Sequence, residues 1–169
     1  MRKRFSTLIF AITMLIMVLL QTSFFPQFAI TRVKPDLVLL FVISVGLLRG
    51  VKEGVVAGAL GSVITGLVSW NVWGLYFLAY TLAGFTAGVI TEKVEPDNFI
   101  VPLMSGLLGS VGICLIFALL GPSLELFYLT GEDFYRSLFF VGLNSAFSIP
   151  VFLVSRYILV PQEVSWTLK

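Results

Sequence analysis

Apolar residues in this chain come in long unbroken runs separated by brief polar punctuation, and those runs set the first expectations. Six can be delimited, at about residues 5–25, 33–48, 51–70, 75–90, 99–120 and 137–160. Most approach the roughly twenty residues with which a helix, rising about 1.5 Å per residue, crosses a bilayer core. Pro26 closes the first run, since proline removes a backbone donor and restrains its predecessor. Arg49-Gly50-Val51-Lys52-Glu53-Gly54 parts the second from the third, and Asn71-Val72-Trp73-Gly74 turns the third into the fourth. The stretch 91–98, with Glu92, Lys93, Glu95, Pro96 and Asp97, reads as a loop. In 121–136, Pro122, Glu125, Glu132 and Asp133 mix with Leu124, Leu126, Phe127 and Tyr128, which suggests a short helix on the membrane surface. The apolar character is continuous, whereas a membrane barrel alternates in strands of about ten residues. The pattern predicts an all-α integral membrane protein, six transmembrane helices in a single polytopic domain over residues 1–169.

The second run is the awkward one. Its strictly apolar part, from Leu37 to Leu48, reaches only about 18 Å as a helix, against a core near 30 Å. Counting from Val33 helps, because Lys34 can extend its ammonium to the interface. A re-entrant hairpin of runs two and three is the competing reading. Asp36, just after Pro35, reads as a helix start, where a negative charge suits the positive end of the helix dipole.

Composition agrees: 58% hydrophobic and 12% charged is far from the balance of a soluble domain. Met1-Arg2-Lys3-Arg4 before an apolar run resembles a signal peptide, but no small-residue cleavage site follows, so it reads as an uncleaved first span. A net charge of +2 is too small to imply a nucleic-acid partner; placement of the basic residues is what informs. With six spans, Arg2, Lys3, Arg4, Arg49, Lys52, Lys93, Arg156 and Lys169 share one side and Arg32, Lys34 and Arg136 the other. The positive-inside rule then places both termini in the cytoplasm (N-in/C-in), with Trp70, Trp73 and Tyr76 at the outer interface.

Candidate chemistry is sparse. Membrane enzymes and ion-coupled carriers need ionisable groups at depth, and the interiors of the six runs, about five residues in from each end, hold no Asp, Glu, Lys, Arg or His. No metal site, cofactor or catalytic residue is expected. Cys114, the one cysteine, reads as a small buried hydrophobe. Ser145 reads as a packing hydroxyl, and Asn144 as a hydrogen-bonding partner for a neighbouring helix or a ligand. Gly50, Gly54 and Gly58 stand four apart on one helix face, and Gly84 and Gly88 repeat the spacing. Small residues let membrane helices approach closely. With Tyr80, the glycines Gly54, Gly58, Gly84 and Gly88 are therefore candidates either for packing within the bundle or for docking a partner helix. Arg49 and Lys52, beside Glu53 at a cytoplasmic turn, face lipid headgroups and solvent or a cytoplasmic partner.

Pro35-Asp36-Leu37-Val38-Leu39-Leu40, then Leu47-Leu48-Arg49-Gly50 with Lys52-Glu53-Gly54, then Gly74-Leu75 and Leu78-Ala79-Tyr80-Thr81-Leu82-Ala83-Gly84 with Ala87-Gly88, resembles the bacterial rod shape-determining protein family MreD. The upstream Leu20-Gln21 to Pro26 fits that family's first-span ending, and the resemblance covers roughly residues 15–95. One departure is plain: many members carry an Asp-Leu pair near the end of the third span, where this chain has Gly66-Leu67. A role belonging to that acid does not carry over.

The resemblance implies a non-enzymatic subunit of the cell-elongation machinery in the bacterial inner membrane. It implies MreC as partner, with MreB, the glycan polymerase RodA and a class-B penicillin-binding transpeptidase in the same complex, membrane lipids around it, and room for a homodimer. It also implies a six-helix fold similar to the S-component of energy-coupling-factor vitamin transporters. Three functions follow for weighing: a scaffold that binds MreC and positions peptidoglycan synthesis, the substrate-binding component of a small-molecule carrier, and a lipid enzyme. The lack of deep acids and bases argues against the last.

Overall fold

The computed structural model describes residues 2–24, 33–68, 72–91, 99–123 and 131–159. Among these residues all regular structure is helical. Helix α1 (Arg2–Leu19) runs on into a π-helical turn, Leu20–Phe24. There follow α2 (Leu37–Arg49), α3 (Val51–Val68), α4 (Trp73–Thr91), α5 (Ile100–Ser123) and α6 (Gly131–Leu159). Helices α4, α5 and α6 are long and apolar enough to cross a membrane, while Phe10–Ser23 and Leu37–Arg49 are shorter apolar helices.

The centre of the bundle is α2. Every residue from Leu37 to Leu47 is buried, as befits a helix that is apolar all round, and α2 touches each of the other five helices. The surrounding helices turn Leu15, Leu19, Leu60, Leu67, Leu108, Leu115 and Leu119 outward. An apolar exterior of this kind suits lipid as solvent.

The tightest packing is that of α3 on α4, with α2 against both. A methyl group at Gly54 would lie within 3 Å of backbone at Gly84 and Gly46, and one at Gly58 within 3 Å of backbone at Tyr80 and Thr81. Gly84 faces Gly54 in return, and Gly88 lies against Val51. The glycine faces thus form the seam among α2, α3 and α4, where backbones meet without side chains between them. Gly50 serves differently. At φ 87° and ψ −173° it occupies a region essentially reserved for glycine, so α2 reverses into α3 through one residue.

The surface helix expected within 121–136 is replaced, where described, by continuations of the long helices. Helix α5 extends through Pro122 to Ser123, and α6 begins at Gly131. Glu132 and Asp133 fall in the first turn of α6, the end of the dipole that favours negative charge, and Arg136 pairs with Glu132 at 3.1 Å. Residues 124–130, the loop 92–98, Pro26, Arg32, Trp70 and Lys169, on which other expectations fall, lie outside the described residues.

Gly54→Ala is expected to destabilise the protein by about 1–3 kcal/mol, the usual cost of overpacking. Gly112→Ala, where a methyl group meets nothing within 4 Å, is expected to be neutral or mildly stabilising. Thermal unfolding in detergent, with both variants beside the parent, checks the contrast.

Candidate functional site

Thirteen residues make α2 about 20 Å long, well short of a bilayer core of about 30 Å. Its C-terminal end is tied at one end of the bundle. Arg49 Nη2 donates to the Leu159 carbonyl at 2.8 Å, and Thr91 Oγ1 lies 2.9 Å from the Leu47 carbonyl. Its N-terminal end therefore falls inside the bundle. It sits level with Tyr80, the eighth residue of α4, and Asn144, the fourteenth of α6. A helix start leaves backbone N–H groups unpaired, and at membrane depth each must find a protein acceptor.

Side chains from three helices and the helix's own cap meet at that start. Asp36 is the N-cap, and its Oδ1 accepts from Leu39 N at 3.0 Å. Asn144 Oδ1 on α6 accepts from Asp36 N at 2.8 Å. Gln21 Oε1, from the π turn after α1, accepts from Val38 N at 3.3 Å. The Tyr80 hydroxyl on α4 donates to Asp36 Oδ2 at 2.6 Å. Both carboxyl oxygens of Asp36 thus take part in a hydrogen bond. Tyr80 and Asn144 are wholly buried and Asp36 is 5% exposed. Asn144 Nδ2 has no partner among the described residues.

Asp36 corrects the sequence reading on one point. That reading expects no ionisable group in the interiors and takes Asp36 only as a helix start. Asp36 does start a helix, but the start lies in the core of the bundle. Pro35-Asp36 ahead of a run too short to span is the available signal; nothing in the sequence marks Gln21 and the Tyr80 hydroxyl as its partners. The other candidates are placed as follows. Gly54, Gly58, Gly84 and Gly88 lie in the packing seam. Arg49 is half-buried on the α6 carbonyl and 3.9 Å from Glu53, while Lys52 is exposed on the first turn of α3. Ser145 Oγ bonds the Val141 carbonyl of its own helix at 2.8 Å. Among the described residues no three metal-binding side chains cluster.

Beside the N-terminal end of α2 the described residues leave a hollow. A cavity of about 490 Å³ lies there, bounded by Gln21, Lys34 and Asp36 on one side and by Tyr76, Phe117, Phe140 and Arg136 on others. A smaller groove of about 260 Å³ runs between α4 and α5 over Ala79, Ala83, Gly109 and Gly112.

A family model described as rod shape-determining protein MreD matches residues 1–159, a range that takes in all six helices. No curated protein and no solved structure matches the chain.

The network at the head of α2 predicts a rank order. Tyr80→Phe, which withdraws one donor from a buried carboxylate, is expected to cost about 1–3 kcal/mol. Asp36→Ala, which strands both the Leu39 N–H and the Tyr80 hydroxyl, is expected to cost more. Chemical or thermal unfolding in detergent gives the order, and equal stability of Asp36→Ala and the parent would contradict it.

Proposed function

The chain belongs to the MreD family of rod shape-determining proteins, and from that premise we propose that it is the non-enzymatic scaffold subunit of the cell-elongation complex in the bacterial inner membrane. It is a membrane protein with a role in rod shape determination. In this reading it binds MreC, sits with MreB, RodA and a class-B penicillin-binding transpeptidase, and so helps to position peptidoglycan synthesis.

The family match across all six helices carries the proposal. The use of the deep polar groups supports it: Asp36, Tyr80, Asn144 and Gln21 are committed to holding the head of α2. Side chains that satisfy backbone at depth serve rigidity, which a scaffold needs, and leave no acid and base poised toward a substrate. The glycines Gly54, Gly58, Gly84 and Gly88 serve, in this reading, the bundle's own packing rather than a docking groove for MreC. In this reading the chain crosses the membrane six times, the second crossing made by the segment from Val33 with α2 as its helical part; both termini face the cytoplasm, and the fold is of the S-component type. The Arg49–Leu159 and Thr91–Leu47 contacts support that orientation by gathering Arg49, Lys52 and Arg156 toward the end assigned to the cytoplasm. The family match favours none of the transport functions, and the carrier reading is set aside.

Co-expression with MreC and purification in mild detergent is expected to yield a stoichiometric complex that survives size exclusion. Lys52→Glu, an exposed change, tests the cytoplasmic contact separately: loss of MreB from the purified complex, with MreC retained, is the expected result. A parent protein that elutes free of MreC would overturn the scaffold reading.

A further inference from the structure

Ile113, buried on α5, lines two spaces at once. One is the hollow at the head of α2; the other is the groove between α4 and α5, which also reaches Ile43 of α2. The two differ in character. The charges that line the hollow, Lys34 and Arg136 against Asp36 and Asp133, balance. Lys34 lies close enough for its charge to act on Asp36, and Arg136 lies 3.9 Å from Asp133. The groove, by contrast, has small and aliphatic walls and no charged residue among the described residues that line it. From Ser105 to Ile116 it follows α5 for about 16 Å, so its volume of about 260 Å³ makes a narrow slot. A partner helix, about 10–12 Å across with its side chains, is too wide for such a slot. One extended hydrocarbon chain is not.

We propose that the hollow and the groove together bind one zwitterionic phospholipid of the surrounding bilayer, its headgroup in the hollow and an acyl chain in the groove. Shape and charge both commit to that occupant. A charged space that shares a wall, Ile113, with a long apolar slot has the outline of an amphiphile. Balanced charges offer a partner to each half of a zwitterion: Arg136 and Lys34 to its phosphate, Asp133 to its ammonium. An anionic headgroup satisfies only the first of these and brings no cation to Asp133. Each exposed pair is weak by itself, because solvent and salt screen it, and burial of the chain supplies the remaining affinity. The inference concerns the protein alone and does not rest on its partnership with MreC.

Native mass spectrometry of the purified full-length protein, exposed to equal amounts of phosphatidylethanolamine and phosphatidylglycerol with identical acyl chains, tests it. Retention is expected to favour phosphatidylethanolamine about threefold, the worth of one partly exposed ion pair. Asp133→Asn, which leaves the hollow one acid short, is expected to bring the ratio to one or lower. Gly112→Leu, placed where a Cβ meets nothing within 4 Å, is expected to fill the slot and reduce retention of both lipids, with size exclusion confirming an intact protein. Equal retention of the two lipids by the parent, or a preference unchanged in Asp133→Asn, would overturn the proposal. So would displacement of the lipid by glycerophosphoethanolamine at equal concentration, since a headgroup without chains would then suffice.

Discussion

One constraint governs this molecule: its central helix is too short to cross the membrane, so the helix must begin inside the bundle. Hydrocarbon offers no hydrogen bonds, and a bare helix start at that depth is costly for each backbone group left unpaired. The chain meets the constraint with Asp36 as cap and with Asn144, Gln21 and Tyr80 reaching in from α6, the end of α1 and α4. Because those partners come from separate helices, capping α2 also fixes α1, α4 and α6 around it. Local satisfaction of a few donors thereby becomes a tertiary constraint.

The glycine seam follows from the same geometry. Lipid gives helices no hydrophobic reason to associate, so a core helix must be held by close contact and hydrogen bonds. Gly46, Gly54, Gly58, Gly84 and Gly88 let α2, α3 and α4 approach until backbone meets backbone. At the other end Arg49 and Thr91 close the carbonyl ends of α6 and α2. Helix α2 is thus gripped at its head by polar side chains, along its length by glycines and at its tail by a cation and a hydroxyl.

Much of this is legible in the sequence, and what is not has a physical explanation. Continuous apolar runs and polar breaks lead to helices, and the fourfold glycine spacing leads to a packing face. The second run's shortfall in length is visible too, yet its consequence is not, because a sequence shows how long a helix is and not where along the membrane normal it starts. Asp36 reads only as a helix start, without a depth, for that reason. Tyr80, forty-four residues away in sequence, and Asn144, one hundred and eight away, reveal their tie to Asp36 only once the helices are packed. The extensions of α5 to Ser123 and of α6 back to Gly131 are hidden by mixed composition, since acids at a helix start look like loop residues until their place on the dipole is known.

The same logic accounts for Gly66, the one departure from the pattern that the resemblance implies. A side chain there would run into the Trp73 indole, which packs from the start of α4 over the end of α3. Glycine at 66 and tryptophan at 73 are therefore one packing choice, in which an aromatic ring fills the position that a side chain on α3 would occupy. A deep acid is a functional-site hypothesis by default. In this chain the described acid at depth is Asp36, and each of its oxygens already receives a donor from the helix head or from Tyr80. Its hydrogen bonds are spent on architecture. The hollow beside it is lined by Lys34 and Arg136 as well as by Asp36 and Asp133, charges that balance, with Tyr76, Phe117 and Phe140 as apolar walls.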